Sequence, residues 1–265
     1  MAQKFCDQGR KTTFATQSGV KRTLIGRSAI NSLFVITSGM ASMATDHIDF
    51  WFTMGSTYSY LSVMRLGEVA KTAGVTFRWR PFANVRALTG ATQVPFPDGA
   101  SKTHYMWRDI ERRAAMYGIP LRLPVPYPIS NSRATNCVAL LGMHEGWGEQ
   151  FVCASYRHWF QQGEENGGEP NLRASLAECG QDFDRVVTQA KGDKARHDLD
   201  RETDEARGIG VFGSPSFVVG GEVFWGDDRF EDAISWYRYG CARSLADTSD
   251  ALTSRDIPEP DSLGG

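Results

Sequence analysis

Ile48-Asp-Phe-Trp-Phe52 is a short apolar, aromatic-rich run that leads into the turn Thr53-Met-Gly-Ser-Thr57, and it reads as a buried strand. From Tyr58 to Ala73, the residues Leu61, Met64, Arg65, Val69 and Ala70 recur at helical spacing, and Gly74 supplies the stop. Val75 to Pro81 returns to strand character. The three pieces make β-α-β, with a connection long enough for a right-handed crossover between parallel strands.

Downstream, Lys102 to Tyr117 is predicted helical, with Tyr105, Met106, Ile110, Arg113 and Ala114 in step. Gly118 to Pro128 cannot be helix, because Pro120, Pro124, Pro126 and Pro128 punctuate it. Helical patterns resume at 132–145, 148–162, 172–178, 182–190 and 193–207. Ser216-Phe-Val-Val219 and Glu222-Val-Phe-Trp225, joined by Gly220-Gly221, give a hairpin signal. A last helix is predicted over 228–242, with Phe230, Ala233, Ile234, Tyr237 and Cys241 on one stripe. This order predicts an α/β fold: a thioredoxin-like core from 46–100 and 208–245, split by an all-helical insertion over 101–207. No internal repeat is visible.

The chain has 265 residues, 41% hydrophobic and 23% charged, within the range of soluble globular proteins. Its mean hydropathy is −0.35. The longest apolar stretches are about half the ~20 residues a transmembrane helix requires. A net charge of −2 argues against a chain built to hold nucleic-acid phosphates. Five scattered cysteines, Cys6, Cys137, Cys153, Cys179 and Cys241, include no C-x-x-C pair, so they read as free thiols in a reducing cytoplasm. His104, His144, His158 and His197 show no metal spacing, and no metal is expected. Residues 1–45 carry six Lys/Arg against Asp7, a local net of +5 that leaves −7 for the rest. That segment reads as a disordered or targeting leader, or as an over-extended reading frame whose natural start is Met40 or Met43. Residues 246–265, acidic and holding Pro258 and Pro260, read as a disordered tail.

In open α/β folds ligands gather beyond the carboxyl ends of the strands, and three such places stand out. Ser56 lies at a helix entrance, where backbone N–H groups and the helix dipole favour an anion; a plain N-cap is the alternative reading. Pro215 in Gly213-Ser-Pro-Ser216 stands at a strand entry, and a cis bond there would leave the Ser214 backbone free to pair with an extended peptide-like ligand. Trp225-Gly-Asp-Asp-Arg229 offers two carboxylates at a turn, suited either to capping a helix or to holding an α-ammonium group.

Taken together, Asp49-Phe-Trp-Phe-Thr-Met-Gly-Ser-Thr-Tyr-Ser-Tyr-Leu61, Gly118-Ile-Pro120, Val211-Phe-Gly-Ser-Pro215 and Phe224-Trp-Gly-Asp-Asp-Arg229 resemble the 2-hydroxychromene-2-carboxylate isomerase family. That family is related to kappa-class glutathione transferases within the DsbA-like thioredoxin superfamily, and the resemblance covers about residues 47–242. It implies glutathione as cofactor and Ser56 as the residue that stabilises its thiolate. It further implies that Ser214 and Pro215 hold the cysteinyl backbone, and that Trp225, Gly226, Asp227 and Asp228 line the γ-glutamyl end. The stretch from Asn84 to Gln93, with Tyr117 nearby, would face the substrate, a conjugated unsaturated acid isomerised by reversible thiolate addition. A homodimer is a family-level expectation. The sequence departs from the family in Ser56-Thr-Tyr-Ser59, where Thr57 replaces a proline, and in Thr53, where an Asp is usual. A transferase conjugating small electrophiles, or a non-enzymatic glutathione- or peptide-binding module, are the alternatives. A disulfide oxidoreductase is disfavoured, because no cysteine lies within three residues of Ser56.

Overall fold

The computed structural model describes residues 46–92, 95–97 and 99–241. The readings for 1–45, for 246–265 and for Gln93 lie outside the described residues, as do the last four residues assigned to the core. The first elements are β1 (Ile48–Phe52), α1 (Thr57–Ala73), β2 (Phe77–Pro81) and α2 (Val85–Thr89). The helices α3 (Ser101–Tyr117), α4 (Ser132–Glu145), α5 (Gly148–Arg157), α6 (Glu169–Glu178), α7 (Phe183–Lys191) and α8 (Asp193–Ile209) follow. The chain then returns through β3 (Ser216–Val219), β4 (Glu222–Trp225) and α9 (Phe230–Tyr239). The strands form one sheet in the order β2-β1-β3-β4. β1 and β2 are parallel, Ile48 opposite Phe77 and Phe52 opposite Pro81, whereas β3 runs antiparallel to both β1 and β4. The expected thioredoxin-like core split by a helical insertion is therefore present.

β1 is apolar at four of its five positions and buried at all five, because both of its faces are covered. Ile48, Phe50 and Phe52 enter the main core, while Trp51 enters a second cluster with Phe82, Leu88, Ala206, Val211 and Val218. Phe50 stacks on Phe217 at 5.4 Å, and Phe217 on Phe230 at 4.6 Å. Each fully buried aromatic contributes about 2 kcal/mol, against a net ~1 kcal/mol for a ladder hydrogen bond, so the side-chain stack fixes the register. On the Trp51 side, Asp49 accepts two hydrogen bonds from Arg78, at 2.5 and 2.8 Å.

The boundaries differ from the sequence reading in a few places. α2 has five residues, too few to show a period; Asn84 caps it, its Oδ1 accepting from the Ala87 amide at 2.8 Å. α6 starts at Glu169 because Pro170 sits in its first turn, where the missing N–H costs nothing. α5 continues into a π turn over His158–Gln162. There His158 is buried between Glu178 at 2.8 Å and Glu164 at 3.3 Å. β2 starts at Phe77 rather than Val75, and α9 is preceded by a 3-10 turn over Asp227–Arg229 and stopped by Gly240. The proline-rich segment is tied down by Trp159 Nε1 donating to the Pro126 carbonyl at 2.8 Å and the Arg122 amide donating to the Phe160 carbonyl at 2.8 Å. Among the described residues, no helix is long and apolar enough to cross a membrane, and no His/Cys/Asp/Glu cluster has the geometry of a metal site.

Candidate active site

β1 ends at Phe52, and the turn that follows delivers Ser56 to the N-terminus of α1. Ser56 is the N-cap, its Oγ accepting from the Ser59 amide at 3.3 Å. The same hydroxyl donates to the Ser214 carbonyl at 2.9 Å. Ser214 Oγ in turn accepts from the Thr53 amide at 2.9 Å and lies 2.8 Å from Ser59 Oγ. Two buried residues from the helical insertion brace this turn. Asn136 accepts from the Met54 amide at 2.9 Å and donates to Thr53 Oγ1 and the Ala83 carbonyl, both at 2.9 Å. The Tyr156 hydroxyl donates to the carbonyls of Thr53 (3.1 Å) and Ser56 (3.0 Å). Complete burial pushes the Tyr156 phenol well above its ordinary range, so it remains a donor at neutral pH. A buried network with its partners present holds the turn rigid.

The Ser214–Pro215 bond is cis. The Ser214 backbone is not wholly free, which corrects the sequence reading. Its carbonyl accepts the Ser56 proton, because α1 brings that hydroxyl directly to it, while its half-buried amide makes no hydrogen bond among the described residues. Gly213 has no side chain because any Cβ would strike the Trp225 indole. That indole, 52% exposed, lies against Phe212 with ring centroids 4.9 Å apart.

The Trp225–Asp228 turn is positioned by the Gly226 amide, which donates to the Pro215 carbonyl at 2.9 Å. Asp227 does not present a carboxylate to a ligand, a second correction. It is 1% exposed, and its oxygens accept from Ser62 Oγ at 3.0 Å, Arg65 at 3.5 Å and Arg113 at 2.6 and 3.0 Å. A buried carboxylate requires such partners, and Arg113 supplies the main one from α3. Asp228 is exposed and 3.0 Å from Arg229.

Ser56, Ser214, Pro215 and the Trp225–Asp228 turn, together with Asn84, line one cavity of about 580 Å³. Tyr117 does not line it: its hydroxyl accepts from Arg113 at 2.8 Å and Arg65 stacks on its ring at 3.7 Å, which places it in the Asp227 ion cluster. Arg86, within the stretch expected to face the substrate, also lines the cavity, as do Tyr58, Phe96, Lys102 and Asp109, which sequence reasoning missed. Arg86 and Lys102 have no carboxylate partner among the described residues; Lys102 instead sits 4.9 Å over the Phe96 ring. No described cysteine reaches the cavity, and burial pushes the Cys153 and Cys179 thiols up to about 11.

The family model for the DSBA-like thioredoxin domain matches residues 47–236. The 2-hydroxychromene-2-carboxylate isomerase of Sphingobium xenophagum is 29% identical over 71% of this chain and 95% of its own length. The protein of the same name from Pseudomonas putida is 30% identical over 69% of this chain and 89% of its own. A solved structure of a 2-hydroxychromene-2-carboxylate isomerase superposes with a TM-score of 0.65 at 26% identity, over 78% of this chain and 99% of that one. The cytosolic disulfide reductase DsbM from Pseudomonas aeruginosa, solved with GSH, shares the fold alone, with a TM-score of 0.53 at 17% identity over 78% of this chain and 99% of that one. The serine-headed turn, the cis-proline strand entry and the Trp-Gly-Asp-Asp turn thus stand in a chain that belongs to the 2-hydroxychromene-2-carboxylate isomerase family, within the DSBA-like thioredoxin proteins.

Proposed function

We propose that the protein is a glutathione-dependent isomerase of a conjugated unsaturated acid of the 2-hydroxychromene-2-carboxylate kind. One observation carries the reading: a single cavity holds the Ser56 hydroxyl at a helix N-terminus together with a Ser214 amide and two cations that, among the described residues, have no hydrogen-bond acceptor and no carboxylate partner respectively. An unpaired, half-buried amide beside a strand entry suits an extended peptide, and a helix N-terminus suits an anion. Glutathione offers both, so the residues present fit it. The names of the relatives support the isomerase reading, and the DsbM structure with GSH supports glutathione.

In this reading the Ser214 main chain pairs with the cysteinyl unit, and Trp225 and Gly226 border the γ-glutamyl end. The α-ammonium falls to Asp228, since Asp227 is committed to Arg113. When bound, glutathione supplies thiolate chemistry, a reversible addition to the conjugated bond. A free thiol near pKa 8.5 is only a few per cent ionised at neutral pH, so the site must favour the anion. Ser56 has one hydroxyl proton, and turning it from the Ser214 carbonyl toward the sulfur gives a donor without moving the α1 backbone. Arg86 and Lys102 hold the carboxylate of the acid, and the apolar surfaces of Phe96, Tyr127, Phe212 and Trp225 exclude water around the conjugated system.

The direct test mixes the full chain with 2-hydroxychromene-2-carboxylate and follows the ultraviolet spectrum with and without glutathione. Conversion that requires glutathione is expected. Conversion at the same rate without it contradicts the cofactor, and no conversion contradicts the isomerase reading.

A further inference from the structure

Tyr58 lies in the first turn of α1 and Asp109 in the middle of α3; both line the cavity and both are half-buried. The Tyr58 hydroxyl donates to Asp109 Oδ2 at 3.1 Å. Arg112 reaches the other carboxylate oxygen at 3.3 Å from the solvent side. The tyrosine is fixed at both ends. Its neighbour Thr57 donates to Met106 Sδ at 3.1 Å, which anchors the first turn of α1 on α3. Its ring leans on Phe96, with centroids 6.2 Å apart.

A phenol has one proton and two lone pairs. With the proton held by Asp109, the Tyr58 oxygen can only accept, so it selects a hydrogen-bond donor from whatever enters the cavity. Burial and then the adjacent Asp109 charge push the ionisation of Tyr58 far above its ordinary value, so the neutral phenol persists throughout the physiological range.

We propose that the Tyr58–Asp109 pair is a hydroxyl-recognising subsite that accepts a hydrogen bond from a phenolic or enolic O–H on the bound acid. It makes the cavity selective for hydroxylated unsaturated acids over their deoxy counterparts. The inference rests on the reading of the cavity as the site of an unsaturated acid and assigns the residue pair that recognises a hydroxyl on it. A site built around a polar group rejects a ligand that leaves the group unpaired, and partial exposure here limits the effect to about tenfold rather than the larger factors of fully buried pairs.

The test is equilibrium binding of 2-hydroxycinnamate and cinnamate to the full chain without glutathione, followed by quenching of the half-exposed Trp225 or by calorimetry. The wild type should bind the hydroxylated acid about tenfold more tightly. Tyr58→Phe keeps the ring packing and should bring the two affinities within about twofold, because the hydroxylated acid loses its acceptor and cinnamate no longer leaves one unpaired. Asp109→Asn, a second variant that keeps the side-chain size, should cut the preference at least threefold, by about the strength lost when a charged partner becomes neutral. Equal affinities in the wild type, an undiminished preference in either variant, or no binding of either acid overturns the proposal. The readout involves neither thiol nor turnover. Selective binding without glutathione-dependent conversion would leave this subsite standing and the isomerase reading fallen, and conversion without selectivity would do the reverse.

Discussion

Ser56 makes four hydrogen bonds at once: its amide donates to the Thr53 carbonyl, its hydroxyl caps α1 through the Ser59 amide and donates to the Ser214 carbonyl, and its own carbonyl accepts from Tyr156. Ser56→Ala is therefore expected to lower the unfolding free energy by about 1 kcal/mol through the lost cap, read from the urea midpoint. Asp227 is the costlier place to interfere. Arg113→Ala leaves that buried carboxylate with only Arg65 and Ser62, and a loss on the order of 3 kcal/mol is expected in the same assay. A loss below about 0.5 kcal/mol would mean that water replaces the guanidinium and that Asp227 is less enclosed than the geometry indicates. The role of Asp227 was not legible in the sequence. Its side chain and Asp228 read alike at a turn, and only the pairing with Arg113 on a distant helix tells the structural carboxylate from the accessible one.

Among the elements, those whose signals are local were legible. β1 reads as a buried run because both faces are covered, and the β3–β4 hairpin reads from Gly220-Gly221, both at positive φ. α1 reads from its period and its stop. Gly74 has φ 64° with open space around it, so Gly74→Ala strains only the backbone and is expected to cost about 1 kcal/mol, measured as a drop in thermal unfolding midpoint. α2 carries no period in its five residues, and the apolar pattern of α6 begins only at Leu172, after the first turn that Glu169 and Pro170 open. The turns that form one side of the cavity were legible as strand ends. The contributions of Tyr58–Asp109 and Lys102 were not, because a helical period says which face is apolar and not which strand end that helix covers.

At the scale of the whole molecule, the fold is shared with the disulfide reductase DsbM, and the head of α1 here carries serine with no cysteine within three residues. The core expected over 46–100 and 208–245 supplies the strand-end turns of the cavity, and the insertion expected over 101–207 adds Lys102, Asp109 and Tyr127 to its lining. The described thiols lie away from the cavity. With pKa values raised to about 11, Cys153 and Cys179 are about 0.1% thiolate at pH 8, and this fraction rises tenfold per pH unit until the thiols titrate. Residue-resolved labelling of the native protein with a thiol reagent should therefore be slow at both and accelerate toward pH 11; rapid labelling at pH 7 would show that they are not buried as described. The central claim is that the cavity holds glutathione as a thiolate through Ser56. The measurement that tests it most directly is the ultraviolet thiolate absorbance of glutathione bound to the full chain across pH, beside Ser56→Ala. The account expects a depressed thiol pKa in the wild type that rises in the variant, with affinities within about tenfold because one hydrogen bond contributes ~1 kcal/mol. Identical titrations in both proteins, or no binding at millimolar glutathione, would contradict it.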